Sequence, residues 1–201
     1  DMKFEPEKLV AAAKHSLENL DTDYVDLLLL HWPDDRVPLS ETIPALCELQ
    51  KQGLTRNIGV SNFNIANIIE AKRHADVPIA VNQVEFHPFI KQKTLQTFLN
   101  NHHILLEAYS PLARGDVFDN KIIKDIADKH GITPAQVSLA WILSDKQRIA
   151  IPKTSNPEHL QGNLDAVKVT LSADELEKIG SLARSDGRKI KHPDYSPEWD
   201  D

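Results

Sequence analysis

Five apolar runs in the sequence each lead into residues that can donate a proton, accept a hydrogen bond or stack. "VDLLLLHWP" (25–33) ends in His31 and Trp32, and "RNIGVSNF" (56–63) ends in Ser61 and Asn62. "IAVNQVEFHP" (79–88) carries Asn82, Gln83, Glu85 and His87; "ILLEAYSPL" (104–112) carries Glu107, Tyr109, Ser110 and Leu112; "RIAIPKTS" (148–155) ends in Lys153 and Thr154. Imidazole donates a hydrogen bond or a proton near neutral pH. The amides of Asn62 and Gln83 each offer a donor and an acceptor. The Tyr109 ring suits offset stacking on another flat ring. Lys153 brings a cation, and the "SNPEHL" that follows opens a helix, whose first N–H groups favour an anion. Each feature also has an ordinary reading. A lone histidine or tryptophan is often core, Ser-Asn after a strand is often a helix cap, and a lysine after a strand is often only solvated. Five polar strand ends in one chain favour a site.

Those residues need elements to hold them. Helical patterns alternate with the apolar runs: 6–20, 40–53, 64–75, 91–102, 120–131, 133–145, 156–166 and 172–184. Thr133 with Gln136, and Ser172 with Glu175, have the spacing of capping boxes, and Asn156 precedes Pro157 as a cap precedes its first turn. Gly53 and Gly131 are helix stops. Strands are expected at about 24–31, 56–60, 79–85, 104–108 and 148–152. Apolar strands alternating with amphipathic helices give a parallel α/β fold. An open doubly wound sheet gathers polar groups only near its switch point, whereas a (β/α)8 barrel collects them from every strand at one face. All five strands deliver polar groups, so the reading is a TIM barrel. Such a barrel has eight strands and about 250 residues. The chain is therefore expected to supply about the last five βα units, with roughly three N-terminal units missing. Residues 1–201 are read as one domain, with 185–201 as a surface tail.

Composition narrows the function. The 201 residues carry a net charge of −7, which disfavours nucleic acid or an acidic membrane as partner. The single cysteine, Cys47, allows no intrachain disulfide and no cysteine zinc site, and its helical context reads as packing. No stretch reaches transmembrane length. No HExxH, CxxC or carboxylate-histidine cluster appears, so no metal is expected; no GxGxxG or Walker loop appears among the seven glycines.

At these motifs the sequence resembles the aldo-keto reductases. "TDYVDLLLLHWP", "GLTRNIGVSNF", "VNQVEFHP", "LLEAYSPLARG", "KHGITPAQVSLAW" and "IPKTSNPEHLQGNLD" occur in the family's order and spacing. The tail ending "SPEWD" looks like the bacterial diketogluconate and methylglyoxal reductase branch. The resemblance implies a barrel that binds NADPH and reduces carbonyls. It makes His31 the catalytic histidine that hydrogen-bonds the substrate carbonyl, and Trp32 a wall of the substrate pocket. Ser61, Asn62 and Gln83 become the clamp on the nicotinamide carboxamide, and Tyr109 the platform under the ring. Ser110 and Leu112 would approach the pyrophosphate. Lys153 and Thr154 would grip the adenosine 2′-phosphate, with His159 and Asn163 also on the cofactor. Many relatives carry Arg, followed three residues later by Glu, where this chain has His159 and Gly162; NADH is accordingly the alternative cofactor. Glu85, His87 and Glu107 read as structural, Arg114 as a surface loop residue, and His102 and His103 as capping or exposed.

The family also uses a tyrosine proton donor tuned by a lysine and an aspartate, on strands that precede those seen here. Neither Tyr24, Tyr109 nor Tyr195 stands in for it. The expectation is a cytoplasmic, monomeric reductase of small polar carbonyls of the keto-sugar acid or 2-oxoaldehyde type, as a complete protein. The alternatives are a barrel subunit or fragment that binds cofactor without turnover, and a different barrel enzyme such as a phosphate-sugar isomerase or lyase.

Overall fold

The computed structural model describes residues 5–201. Helices and strands alternate: α1 (Pro6–Leu20), β1 (Val25–Leu30), α2 (Leu39–Lys51), β2 (Thr55–Ser61), α3 (Ile65–His74), β3 (Ile79–Glu85), α4 (Lys93–Asn101), β4 (Leu105–Tyr109), α5 (Lys121–His130), α6 (Pro134–Leu143), β5 (Arg148–Ala150), α7 (Pro157–Asp165) and α8 (Ala173–Gly180). The strand order β1-β2-β3-β4-β5 follows the chain, and the pairs β1–β2, β2–β3 and β4–β5 are parallel. Sequential parallel pairing through helical crossovers is the topology expected of βα units from a (β/α)8 barrel.

The chain forms two compact units. One comprises the residues up to Gln83 with Thr97–Ile104 and His192–Asp200; the other comprises Val84–Gln96, Leu105–Lys191 and Asp201. In the first, α1 turns Leu9, Ala13 and Leu17 inward, as its spacing predicts, and Cys47 is buried on α2 with Ile43 and Leu46. In β1, Leu27, Leu28 and Leu29 are half-buried and Leu30 is buried. β2 is buried from Ile58 onward.

In the second unit Phe86 and Trp141 stack at 5.4 Å, and the Arg148 guanidinium lies 5.1 Å from the Phe86 ring. Phe89, Val117, Ile123, Val137 and Ile179 join the adjacent core. The capping boxes form as the sequence predicts: Gln136 N–H donates to Thr133 Oγ1 at 3.2 Å, and Glu175 N–H donates to Ser172 Oγ at 3.3 Å. Glu175 also receives Lys129 Nζ at 2.6 Å and His130 Nε2 at 3.0 Å, tying α8 to α5. β5 stops at Ala150 rather than 152, although Ile151 N–H still reaches Ala108 O at 3.1 Å.

The tail 185–201, in which only Gly187 is buried, is bonded to Glu85. Glu85 is fully buried, and its carboxylate accepts Lys189 N–H at 2.7 Å, Ile190 N–H at 2.9 Å and His87 Nε2 at 3.0 Å. His87 Nδ1 accepts Phe89 N–H at 3.3 Å, so the ring hydrogen is on Nε2 and points at Glu85. Burial pushes the Glu85 carboxyl up, but the His87 bond and the two backbone N–H bonds outweigh it, and the net shift is downward.

Candidate functional site

The polar groups picked out by residue type lie late in their strands or just beyond them, in both units. In the first unit β1 delivers His31, which is exposed, beside Trp32, which is buried. Their ring centroids are 6.2 Å apart. Partial burial and the nearby His192 lower the His31 pKa below the ordinary histidine value, so its imidazole is neutral at pH 7 and carries a single N–H.

β2 ends in Ser61 and Asn62, both buried. Ser61 Oγ donates to Gln83 O at 3.0 Å, and Asn62 N–H donates to the same carbonyl at 2.8 Å. Asn62 Nδ2 donates to His31 O at 3.0 Å and to Ser61 Oγ at 3.1 Å. Asn62 therefore ties the ends of β1, β2 and β3 together, with its own backbone left-handed at φ 63°. The helix-cap reading of Ser61-Asn62 does not hold. The cap of α3 is Asn64, whose side chain accepts Asn67 N–H at 2.8 Å. Asn82 was not singled out as a site residue, yet it braces the same loop: its Nδ2 donates to Phe63 O at 2.9 Å and its Oδ1 accepts Phe63 N–H at 3.4 Å. Its burial in the middle of an apolar strand was the available signal.

In the second unit β4 ends in Tyr109, half-buried, with its pKa raised by burial and by Glu85, so the phenol stays protonated. Ser110 is left-handed at φ 49°, and Ala113 and Arg114 follow at 49° and 55°. Leu112 lies between them, half-buried. Ser138 on α6, which sequence reasoning passed over, is buried and donates to Pro111 O at 2.8 Å, fixing this loop from below. After β5, Lys153 is exposed and Thr154 half-buried. Thr154 Oγ1 accepts Asn156 N–H at 3.1 Å, and Asn156 Oδ1 accepts Glu158 N–H at 2.9 Å as the cap of α7. His159 and Asn163 lie one turn apart on α7, the first exposed and the second half-buried. Lys153 thus stands exposed three residues before the cap of α7.

The chain is similar to known proteins. The sequence model described as "Aldo/keto reductase family" matches residues 1–184. The chain is 39% identical over 197 residues to methylglyoxal reductase DkgB of Escherichia coli O157:H7, covering 96% of this chain and 73% of that protein. It is 40% identical over 182 residues to methylglyoxal reductase DkgA of Escherichia coli K12, covering 89% of this chain and 65% of that one. It thus spans about two thirds to three quarters of the length of these relatives. Among solved structures, a protein described as a putative 2,5-diketo-D-gluconic acid reductase B superposes with a TM-score of 0.96 at 37% identity, over 98% of this chain and 70% of that one. A mutant of Gox0644 in complex with NADPH superposes with a TM-score of 0.85 at 38% identity, over 90% of this chain and 67% of that one.

Proposed function

The chain belongs to the aldo/keto reductase family, and from that premise we propose that it serves the NADPH-dependent reduction of aldehydes and ketones to alcohols, with small polar carbonyls of the 2-oxoaldehyde or keto-sugar acid type as substrates. The observation that carries this reading is the family match over residues 1–184, which includes every one of the polar strand ends. The dinucleotide supplies the hydride when bound. His31 hydrogen-bonds the carbonyl oxygen, its single neutral N–H directed by the backbone that Asn62 holds. Trp32 shields one side of the pocket from water. Ser61, Asn62 and Gln83 orient the carboxamide and thereby decide which ring face meets the carbonyl. Tyr109 stacks on the ring, Ser110 and Leu112 lie along the pyrophosphate, and Lys153 and Thr154 hold the 2′-phosphate, with His159 and Asn163 toward the adenosine end. The proton donor of the family is a tyrosine backed by lysine and aspartate, and no residue here is assigned to that role. Cofactor binding without turnover by this chain is therefore the second reading, with a cytoplasmic monomer as the form in both.

The test is a fluorescence titration of the folded chain with NADPH and, in parallel, NADH. Micromolar NADPH binding is expected. Gln83→Leu, which removes both amide functions, should weaken it about tenfold, in keeping with one lost polar contact to a buried group. Lys153→Met should weaken NADPH while leaving NADH nearly unchanged, because only NADPH carries the 2′-phosphate. A folded chain that ignores both nucleotides would overturn the assignment.

A further inference from the structure

We infer that His192 is a second hydrogen-bond donor at the substrate position, and that it selects carbonyl compounds bearing an oxygen on the carbon next to the reacting carbonyl. The inference rests on the reading of His31 as the carbonyl's partner and deepens it.

Trp32 is flanked by two imidazoles. His31 lies 6.2 Å from the indole by ring centroids, and His192, brought in by the tail, lies 5.7 Å from it. His192 is held in a tight turn. Its N–H donates to Ser196 Oγ at 2.7 Å, and its carbonyl accepts Ser196 N–H at 3.2 Å. Within that turn Asp194 N–H donates to His192 Nδ1 at 3.2 Å. A backbone N–H can only donate, so Nδ1 is the acceptor and Nε2 carries the ring hydrogen. The turn fixes Nε2 as the donor of the His192 ring.

The ring is also buttressed. Tyr195 packs 4.5 Å from His192, and Arg36 donates to the Tyr195 hydroxyl at 2.5 Å with its guanidinium 5.0 Å from that ring. Arg36 is itself held by Asp34 through two bonds of 2.8 and 2.9 Å. Further along, Asn64 Nδ2 donates to Glu198 O at 2.8 Å, and Asp200 accepts Ile65 N–H at 3.1 Å at the start of α3. A donor positioned before the ligand arrives costs little ordering entropy when it binds.

Two imidazoles beside one indole would offer an N–H to each of two oxygens on adjacent carbons. A 2-oxoaldehyde, an α-hydroxyketone or an open-chain keto sugar presents one oxygen to His31 and the next to His192. A simple aldehyde satisfies only the first and leaves the second donor unpaired. A site built to pair a substrate oxygen discriminates against the analogue that lacks it.

The experiment is a ring-nitrogen NMR titration of the full chain with hydroxyacetone and with acetone, which differ by the neighbouring hydroxyl. The free protein should show His192 as the Nε2–H tautomer. Hydroxyacetone should shift His31 and His192 together and bind about tenfold more tightly than acetone, which should shift His31 alone. His192→Phe keeps the ring stacking and should reduce hydroxyacetone to the acetone level; His192→Gln retains an N–H donor and should restore part of the preference. A His192 ring with its hydrogen on Nδ1, or equal affinity for the two ketones in the unsubstituted chain, would overturn the inference. NADPH added to the same sample separates the two readings. If NADPH binds and hydroxyacetone leaves His192 unmoved, the role of His192 alone falls. If neither NADPH nor either ketone binds, the reductase reading falls and this inference with it.

Discussion

Glu85→Ala should destabilise the protein by about 3 kcal/mol, the cost of leaving several buried donors without an acceptor. The carboxylate is fully buried and receives three N–H groups: those of Lys189, Ile190 and the His87 ring. Gly187, just before those residues, is packed so closely that a Cβ there would lie 1.8 Å from Phe89 O. Urea unfolding measures the loss, and hydrogen exchange at the Lys189 and Ile190 amides should accelerate about a hundredfold or more, as local opening replaces a buried bond. Glu85→Gln keeps one carbonyl acceptor and should fall between the two. The pH dependence has a definite sign. The folded carboxyl has a pKa below its ordinary 4.5, so the folded state binds fewer protons than the unfolded chain. Its stabilisation is complete above the unfolded value and is lost as pH falls from about 4.5 through the folded value. Glu85→Gln should flatten the stability curve in that acid window. An unchanged acid limb in Glu85→Gln would show that the carboxylate does not anchor the tail.

The anchor also shows where a sequence is legible and where it is not. Strand positions, helix starts and the Thr133, Asn156 and Ser172 caps depend on spacings of two to four residues, which are visible in one dimension. The polar strand ends His31, Ser61, Asn62, Tyr109 and Lys153 were visible for the same reason, because a polar residue interrupts an apolar run. Glu85 could be read as structural, with His87 two residues away, but the backbone N–H groups it accepts lie more than a hundred residues off and nothing local announces them. The tail's composition pointed to the surface, but its long-range bonds to Glu85, Asn64 and Ile65 are not visible in composition. Ser61-Asn62 has the composition of a helix cap, yet Asn64 takes that place because its own side chain reaches Asn67 N–H. His192 drew no notice in the sequence, since its meaning comes from Trp32, 160 residues earlier, and from the turn that fixes its ring.

Gly59→Ala should cost about 2 kcal/mol, within the range for overpacking a filled core, and it should reach the candidate site as well. Gly59 lies in β2 where the pairing with β3 changes register, between Ile58 and Gly59. A Cβ there would stand 2.6 Å from Leu29 Cδ2 and 2.8 Å from Val81 O. The leucine methyl can rotate away, but the carbonyl belongs to the backbone of β3 and cannot. The two strands must therefore separate locally. Two residues further on, Ser61 Oγ and Asn62 N–H both bond Gln83 O across the same pair of strands, and Asn62 also holds His31 O. Forcing β2 from β3 at Gly59 lengthens those bonds, so NADPH affinity should fall about tenfold in protein that remains folded. Gly162→Ala supplies the contrast. It lies in α7 with nothing within 4 Å of an added Cβ, and it should gain about 0.5–1 kcal/mol from reduced backbone freedom in the unfolded chain. Chemical unfolding and nucleotide titration on the two variants give the comparison. Loss of stability in Gly59→Ala with undiminished NADPH affinity would separate the β2–β3 pairing from the cofactor clamp, and would place the carboxamide contacts elsewhere than Ser61, Asn62 and Gln83.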